Sequence, residues 1–167
     1  MHYLAPAQLS RLLAISRKHD MRVYVAILLG YSHGLRISEI IDLKVSDFAD
    51  GYLTVQRLKG SYKTVQPLTL NELDDVLPWL QKFGRYERII QLRQSALGFY
   101  FERFARLAGI PEHLRHFHVL KHTCGRAVIS SGIEYARQYL GHKSISSTGA
   151  YCRVSDAEAA EKCQARL

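Results

Sequence analysis

Apolar residues recur at helical spacing along almost the whole chain, and one stretch, opened by the turn dipeptide Asp50-Gly51, breaks the pattern. Leu9, Leu12, Leu13 and Ile15 follow Pro6, a residue favoured in a first turn, and a second apolar stretch runs from Val23 to Tyr31. Gly34 supplies an end for the second helix, and Ile37, Ile40, Ile41 and Leu43 form a short third one beginning near Arg36. After Asp50-Gly51, Tyr52, Thr54 and Val55 and then Thr64, Val65 and Leu68 read as antiparallel strands with Lys59-Gly60-Ser61 between them. Asn71 is placed to cap the next helix, which Pro78 should kink or shorten. Ser95 to Ala108 forms a further helix that buries Leu97, Phe101, Phe104 and Ala108. Beyond Gly109 and Pro111 the chain reads as short helices broken at Gly132 and Gly141. The fold class is mainly α with a small antiparallel β-sheet. A chain of 167 residues supports one well-buried core, so a single domain is expected over 1–167.

Charge narrows the partner class. Lys plus Arg number 23 against 15 Asp plus Glu, a net +8 that favours polyanions. The longest apolar run, Val23 to Leu29, falls far short of the roughly 20 residues a membrane span needs, and no export signal precedes it. No membrane partner and a cytoplasmic location are the expectations. Cys124, Cys152 and Cys163 are odd in number and widely spaced, which argues against a disulfide framework or a cysteine zinc site. His113, His116, His118 and His122 include i, i+4 partners of the kind that ligate zinc, but no acidic cluster beside them completes a site. Neither a metal nor a cofactor is expected.

The most informative segment runs His116-Phe117-His118-Val119-Leu120-Lys121-His122-Thr123-Cys124-Gly125, followed by Leu140-Gly141-His142 and then Thr148 and Tyr151. With Gly34-Leu35-Arg36-Ile37-Ser38-Glu39 near the front, this order closely resembles the tyrosine recombinases, the phage integrase family. The hairpin string Arg57-Leu58-Lys59-Gly60, running on to Val65-Gln66-Pro67-Leu68, resembles the fimbrial phase-variation invertases within it. The resemblance implies the tyrosine recombinase catalytic-domain fold, double-stranded DNA as partner, a tetramer on DNA and possible accessory DNA-bending proteins. Carried over residue by residue, it makes Arg36 the first phosphate-gripping arginine, Lys59 the hairpin lysine, His118 and His142 the site histidines, Tyr151 the nucleophile and Glu39 a supporting carboxylate. Lys121 stands where the family has its second arginine. Arg57, Lys63, Arg103 and Arg106 are candidate DNA contacts, of the kind that position a protein without reading sequence.

The chemistry accounts for these residue types. Attack on a phosphodiester builds negative charge on the non-bridging oxygens, so fixed cations aimed there lower the barrier. The Arg36 fork suits that role because it donates two hydrogen bonds to one phosphate. A tyrosine hydroxyl with a pKa near 10 needs a base or a cationic neighbourhood to attack at neutral pH, and His118 is the candidate base. The departing 5′ oxygen needs a proton, which Lys59 would supply. A phosphotyrosine bond conserves the energy of the cut ester, so a second DNA hydroxyl reseals it without ATP.

Three departures accompany the resemblance. Lys121 keeps the charge of an arginine but loses its fork, an expected penalty on the order of 1 to 3 kcal/mol. Only nine residues separate Gly132 from His142, about two fewer than the resemblance implies and equal to roughly 200° of helix rotation. The DNA-clamping domain that most integrases carry N-terminally is expected to be absent from this chain, as it is from the fimbrial invertases. The tail, about 155–167, is placed by the resemblance against a neighbouring subunit. The expected function is site-specific recombination through a 3′-phosphotyrosine, in integration, inversion or excision. The alternative is a weakened homologue that binds DNA and regulates.

Overall fold

A computed structural model of the chain describes residues 3–57 and 61–149. Lys59 and Tyr151 therefore lie outside the described residues, as do Cys152, Cys163 and the tail.

Two antiparallel helices, α1 (Pro6–His19) and α2 (Met21–Ser32), open the chain with Pro6 in the first turn. Asp20 joins them, its carboxylate accepting from the Arg22 backbone N–H at 2.9 Å. The run from Val23 to Gly30 is buried on every side, which makes α2 the central helix of the core. Gly34 ends it at φ +60, and a Cβ there would sit 2.6 Å from Leu140 Cδ2, so only glycine fits. Helix α3 (Ile37–Asp42) starts three residues later with Arg36 as its N-cap.

The sheet runs β1 (Phe48–Ala49), β2 (Tyr52–Val55) and β3 (Thr64–Pro67), in that order and antiparallel throughout. The short β1 is not read from the sequence. It exists because Asp50 and Gly51, at φ 51 and 79, form the two-residue turn that pairs Ala49 with Tyr52. In β3 the alternation puts Thr64 and Gln66 inside and leaves Val65 61% exposed, with polar side chains facing inward.

Helix α4 (Leu70–Leu80) is capped by Thr69, two residues before the expected Asn71. The Glu72 carboxylate accepts from both the Thr69 backbone N–H (2.7 Å) and its hydroxyl (2.8 Å), which fixes the helix start at Thr69. The helix passes through Pro78 and stops at Leu80. Helix α5 (Gln94–Leu107) buries the expected stripe of Leu97, Phe101 and Phe104. Three shorter helices follow, α6 (Val119–Val128), α7 (Ile133–Tyr139) and α8 (Ile145–Gly149), with breaks at Gly132 and Gly141. Among the described residues no helix is long and apolar enough to cross a membrane.

Candidate active site

The Gly34 turn swings the chain so that Leu35 is fully buried while Arg36 keeps 27% of its side chain exposed at the start of α3. Glu39, three residues on and buried, accepts from the Arg36 backbone N–H at 2.8 Å and from its guanidinium at 2.9 Å. One carboxylate thus caps α3 and fixes the direction of the fork.

Behind Arg36 lies Arg57, 3% exposed. Its Nε donates to Thr64 Oγ1 at 2.9 Å, and its two terminal nitrogens donate to the His33 carbonyl at 2.8 Å and the Gly34 carbonyl at 3.1 Å. Longer contacts of 3.4 Å reach Glu39, Gln66 and the Tyr139 carbonyl. Gln66 extends this network, donating to Tyr139 O at 2.8 Å and accepting from His33 Nδ1 at 3.0 Å. His33 Nε2 in turn lies 3.0 Å from Glu72 Oε1 in a fully buried pair. Burial works against the Glu72 carboxylate, but hydrogen bonds from His33 and Thr69 hold it below the ordinary carboxylate range.

The third component is the start of α6. His118 is its N-cap and is exposed, with its ring edge-on to His122 at 4.6 Å between centroids. Desolvation of the ring, reinforced by His122, Lys121 and Arg36, pushes it down to about 4, so it is neutral at pH 7. One turn on, Lys121 is 2% exposed, and its Nζ has no hydrogen-bond partner among the described residues. Burial first, then Arg57 and Arg36, lower its ammonium to about 8. His142, 7% exposed after the Gly141 turn, lies with Nδ1 3.0 Å from Thr148 Oγ1. Desolvation, then Lys121, Arg36 and Arg57, push it down to about 4.

These mutual effects locate Arg36, His118, Lys121 and His142 in one cationic patch where the starts of α3 and α6 and the turn after α7 meet. The short interval from Gly132 to His142 is taken up by α7, seven residues long, and His142 still meets the other cations. Lys59 and Tyr151, the expected acid and nucleophile, lie outside the described residues. Arg57 is not the surface DNA contact its place in a basic hairpin string implies. Its donors are spent on buried carbonyls and on Glu39, and no face remains for a phosphate. Lys63 is exposed beside a cleft of about 340 Å³ between β3 and α7. Arg103 and Arg106 are exposed on α5, where Arg106 pairs with Glu102 at 3.0 Å. Glu102 also lines an open groove of about 710 Å³ that runs past Arg115, His116 and His118. Arg115 anchors its Nε on the Ile110 carbonyl at 2.7 Å. The His33–Gln66–Glu72 chain is not read from the sequence. The signal available for it is the polar, inward-facing parity of Thr64 and Gln66 in β3.

The model of the phage integrase family matches residues 2–158. Type 1 fimbriae regulatory protein FimE of Escherichia coli K12 is 34% identical over 145 residues, covering 78% of this chain and 73% of FimE. The crystal structure of XerA recombinase superposes on 99% of the chain with a TM-score of 0.79 at 24% identity. A lambda integrase tetramer bound to a Holliday junction superposes on 92% with a TM-score of 0.73 at 22% identity. The chain spans 65% of that XerA chain and 50% of that integrase chain. The match across nearly all its length makes this chain a member of the phage integrase family, the site-specific tyrosine recombinases.

Proposed function

We propose that the chain is the catalytic domain of a site-specific recombinase that cuts and rejoins double-stranded DNA through a 3′-phosphotyrosine on Tyr151. The observation that carries this reading is the convergence of Arg36, His118, Lys121 and His142, with Arg36 aimed by a buried carboxylate. The scissile phosphate takes two hydrogen bonds from Arg36 and the charge of Lys121, and His142 donates a further one. Tyr151 Oη attacks phosphorus while its proton passes to His118, which is neutral and able to accept it. The P–O5′ bond breaks, and Lys59 protonates the departing oxygen. The reverse attack by a 5′ hydroxyl of a second strand restores the diester and frees Tyr151. No cofactor enters.

Lys63, Arg103 and Arg106 contact the DNA backbone in this reading. Four protomers assemble on paired sites, as the lambda integrase structure does on its junction, with the tail 155–167 packing on a neighbour and DNA-bending proteins assisting. The chain works as one domain in the cytoplasm. A nicked suicide substrate, built on a DNA site recovered by binding selection, tests the reading. Wild type gives a covalent protein–DNA adduct and Tyr151→Phe gives none; an adduct from both, or from neither, overturns it.

A further inference from the structure

Resting on the recombinase reading, we propose that Arg57 is the positioning residue of this site: its buried guanidinium fastens the Arg36 turn, both hairpin strands and the segment leading to His142 into one unit. The geometry is specific. Five donors in a planar fork reach acceptors on four separate pieces of chain: the carbonyls of His33 and Gly34 just before Arg36, the Glu39 carboxylate that aims Arg36, Thr64 and Gln66 on β3, and the Tyr139 carbonyl three residues before His142. Arg57 itself lies two residues before Lys59, so the same fork fixes the base of the hairpin. A lysine has three rotatable donors and no plane, and cannot hold this set. Gly141 is part of the arrangement, because a Cβ there would lie 3.1 Å from Arg57 Cγ and 3.0 Å from the Tyr62 carbonyl.

The second consequence is electrical. Lys121 is buried and set among charged groups. Those are Arg57 from the hairpin, Arg36 and Glu39 from α3, His118 and Cys124 from its own helix, and His142 after α7. After burial, Arg57 is the largest of the charges lowering it. An incoming phosphate opposes that repulsion and raises the Lys121 midpoint, so that near and above pH 8 DNA binding draws a proton onto it. In that range Arg57 couples capture of the proton to capture of the DNA; at pH 7 the ammonium is already in place.

Two measurements on the full chain test this. The Lys121 side chain is titrated by NMR in the absence of DNA, and the second-order rate of adduct formation on the suicide substrate is followed against pH. Arg57→Gln removes fork and charge: the Lys121 midpoint moves up from near 8, and the alkaline fall of the rate moves up with it. Arg57→Lys keeps the charge and loses the fork: the midpoint stays, while the rate drops about tenfold to hundredfold with DNA affinity retained. A simple packing role would lower both rates and move neither midpoint. An unmoved Lys121 midpoint in Arg57→Gln overturns the charge coupling, and a wild-type rate in Arg57→Lys overturns the positioning role. Should Arg57→Gln not fold, the Arg57→Lys rate still decides. Failure of the recombinase reading is distinguishable, because wild type would then give no adduct while the titration still decides the relation of Arg57 to Lys121.

Discussion

Lys121→Met is the most revealing single change, because it should stabilise the protein and disable it together. Lys121 is 2% exposed, its amine has no hydrogen-bond partner among the described residues, and burial beside Arg57 and Arg36 lowers its ammonium from 10.5 to about 8. That difference corresponds to roughly 3 kcal/mol of cost for keeping the charge in the folded state. Below pH 8 the residue is protonated both folded and unfolded, so the whole penalty is present at pH 7. Between 8 and 10.5 the folded chain sheds its proton before the unfolded one, and wild type recovers the lost stability as pH rises. Methionine keeps most of the length of the side chain, without the terminal ammonium, and removes the penalty. At about 2–4 °C per kcal/mol for a domain of this size, the melting temperature at pH 7 rises by about 6–12 °C, and the gap over wild type closes by pH 10.5. Thermal unfolding at pH 7 and at higher pH reads both effects, and adduct formation in the same samples falls at least tenfold for want of the phosphate-binding charge. A Lys121→Met protein less stable than wild type at pH 7, or a gap that does not change with pH, would refute the argument that the site stores a buried cation at a cost in stability.

Removing one partner of the buried His33–Glu72 pair strands the other, so Glu72→Ala costs about 3–5 kcal/mol in urea unfolding at pH 7. Because the Glu72 carboxyl is held low, its contribution is complete above the ordinary carboxylate range and is lost as pH falls through the folded value; acid unfolding of Glu72→Ala is correspondingly shallower. Gly34→Ala imposes φ +60 on a residue whose Cβ meets Leu140 at 2.6 Å, and chemical denaturation should show a loss of more than about 1 kcal/mol. If Lys63, Arg103 and Arg106 touch phosphates, replacing any one with glutamine reduces the slope of log affinity against log salt by about 1, and weakens all DNA sequences alike.

Much of the fold is legible in the sequence because it rests on local rules. The helical period marks α1, α2 and α5, Asp50-Gly51 marks a turn that only residues tolerating positive φ enter readily, and Gly34 and Gly141 mark sharp breaks. What escapes a sequence reading depends on distant partners. Arg57 in a string with Lys59 looks like a basic surface loop, and its burial becomes affordable only where carbonyls of residues 33, 34 and 139 and the Glu39 carboxylate converge on it. Asn71 is a good capping residue in isolation, but Thr69 is the one with Glu72 three residues ahead. The substitution at Lys121 is plain in the sequence, while its solvent exclusion is not, since burial is set by tertiary packing.

Peptide mapping of the trapped adduct tests the central claim most directly. After nuclease and protease digestion, the account predicts one peptide carrying a 3′-phosphorylated nucleotide, with fragmentation placing the phosphate on Tyr151. A nucleotide on any other residue, or none after exhaustive reaction, would contradict it.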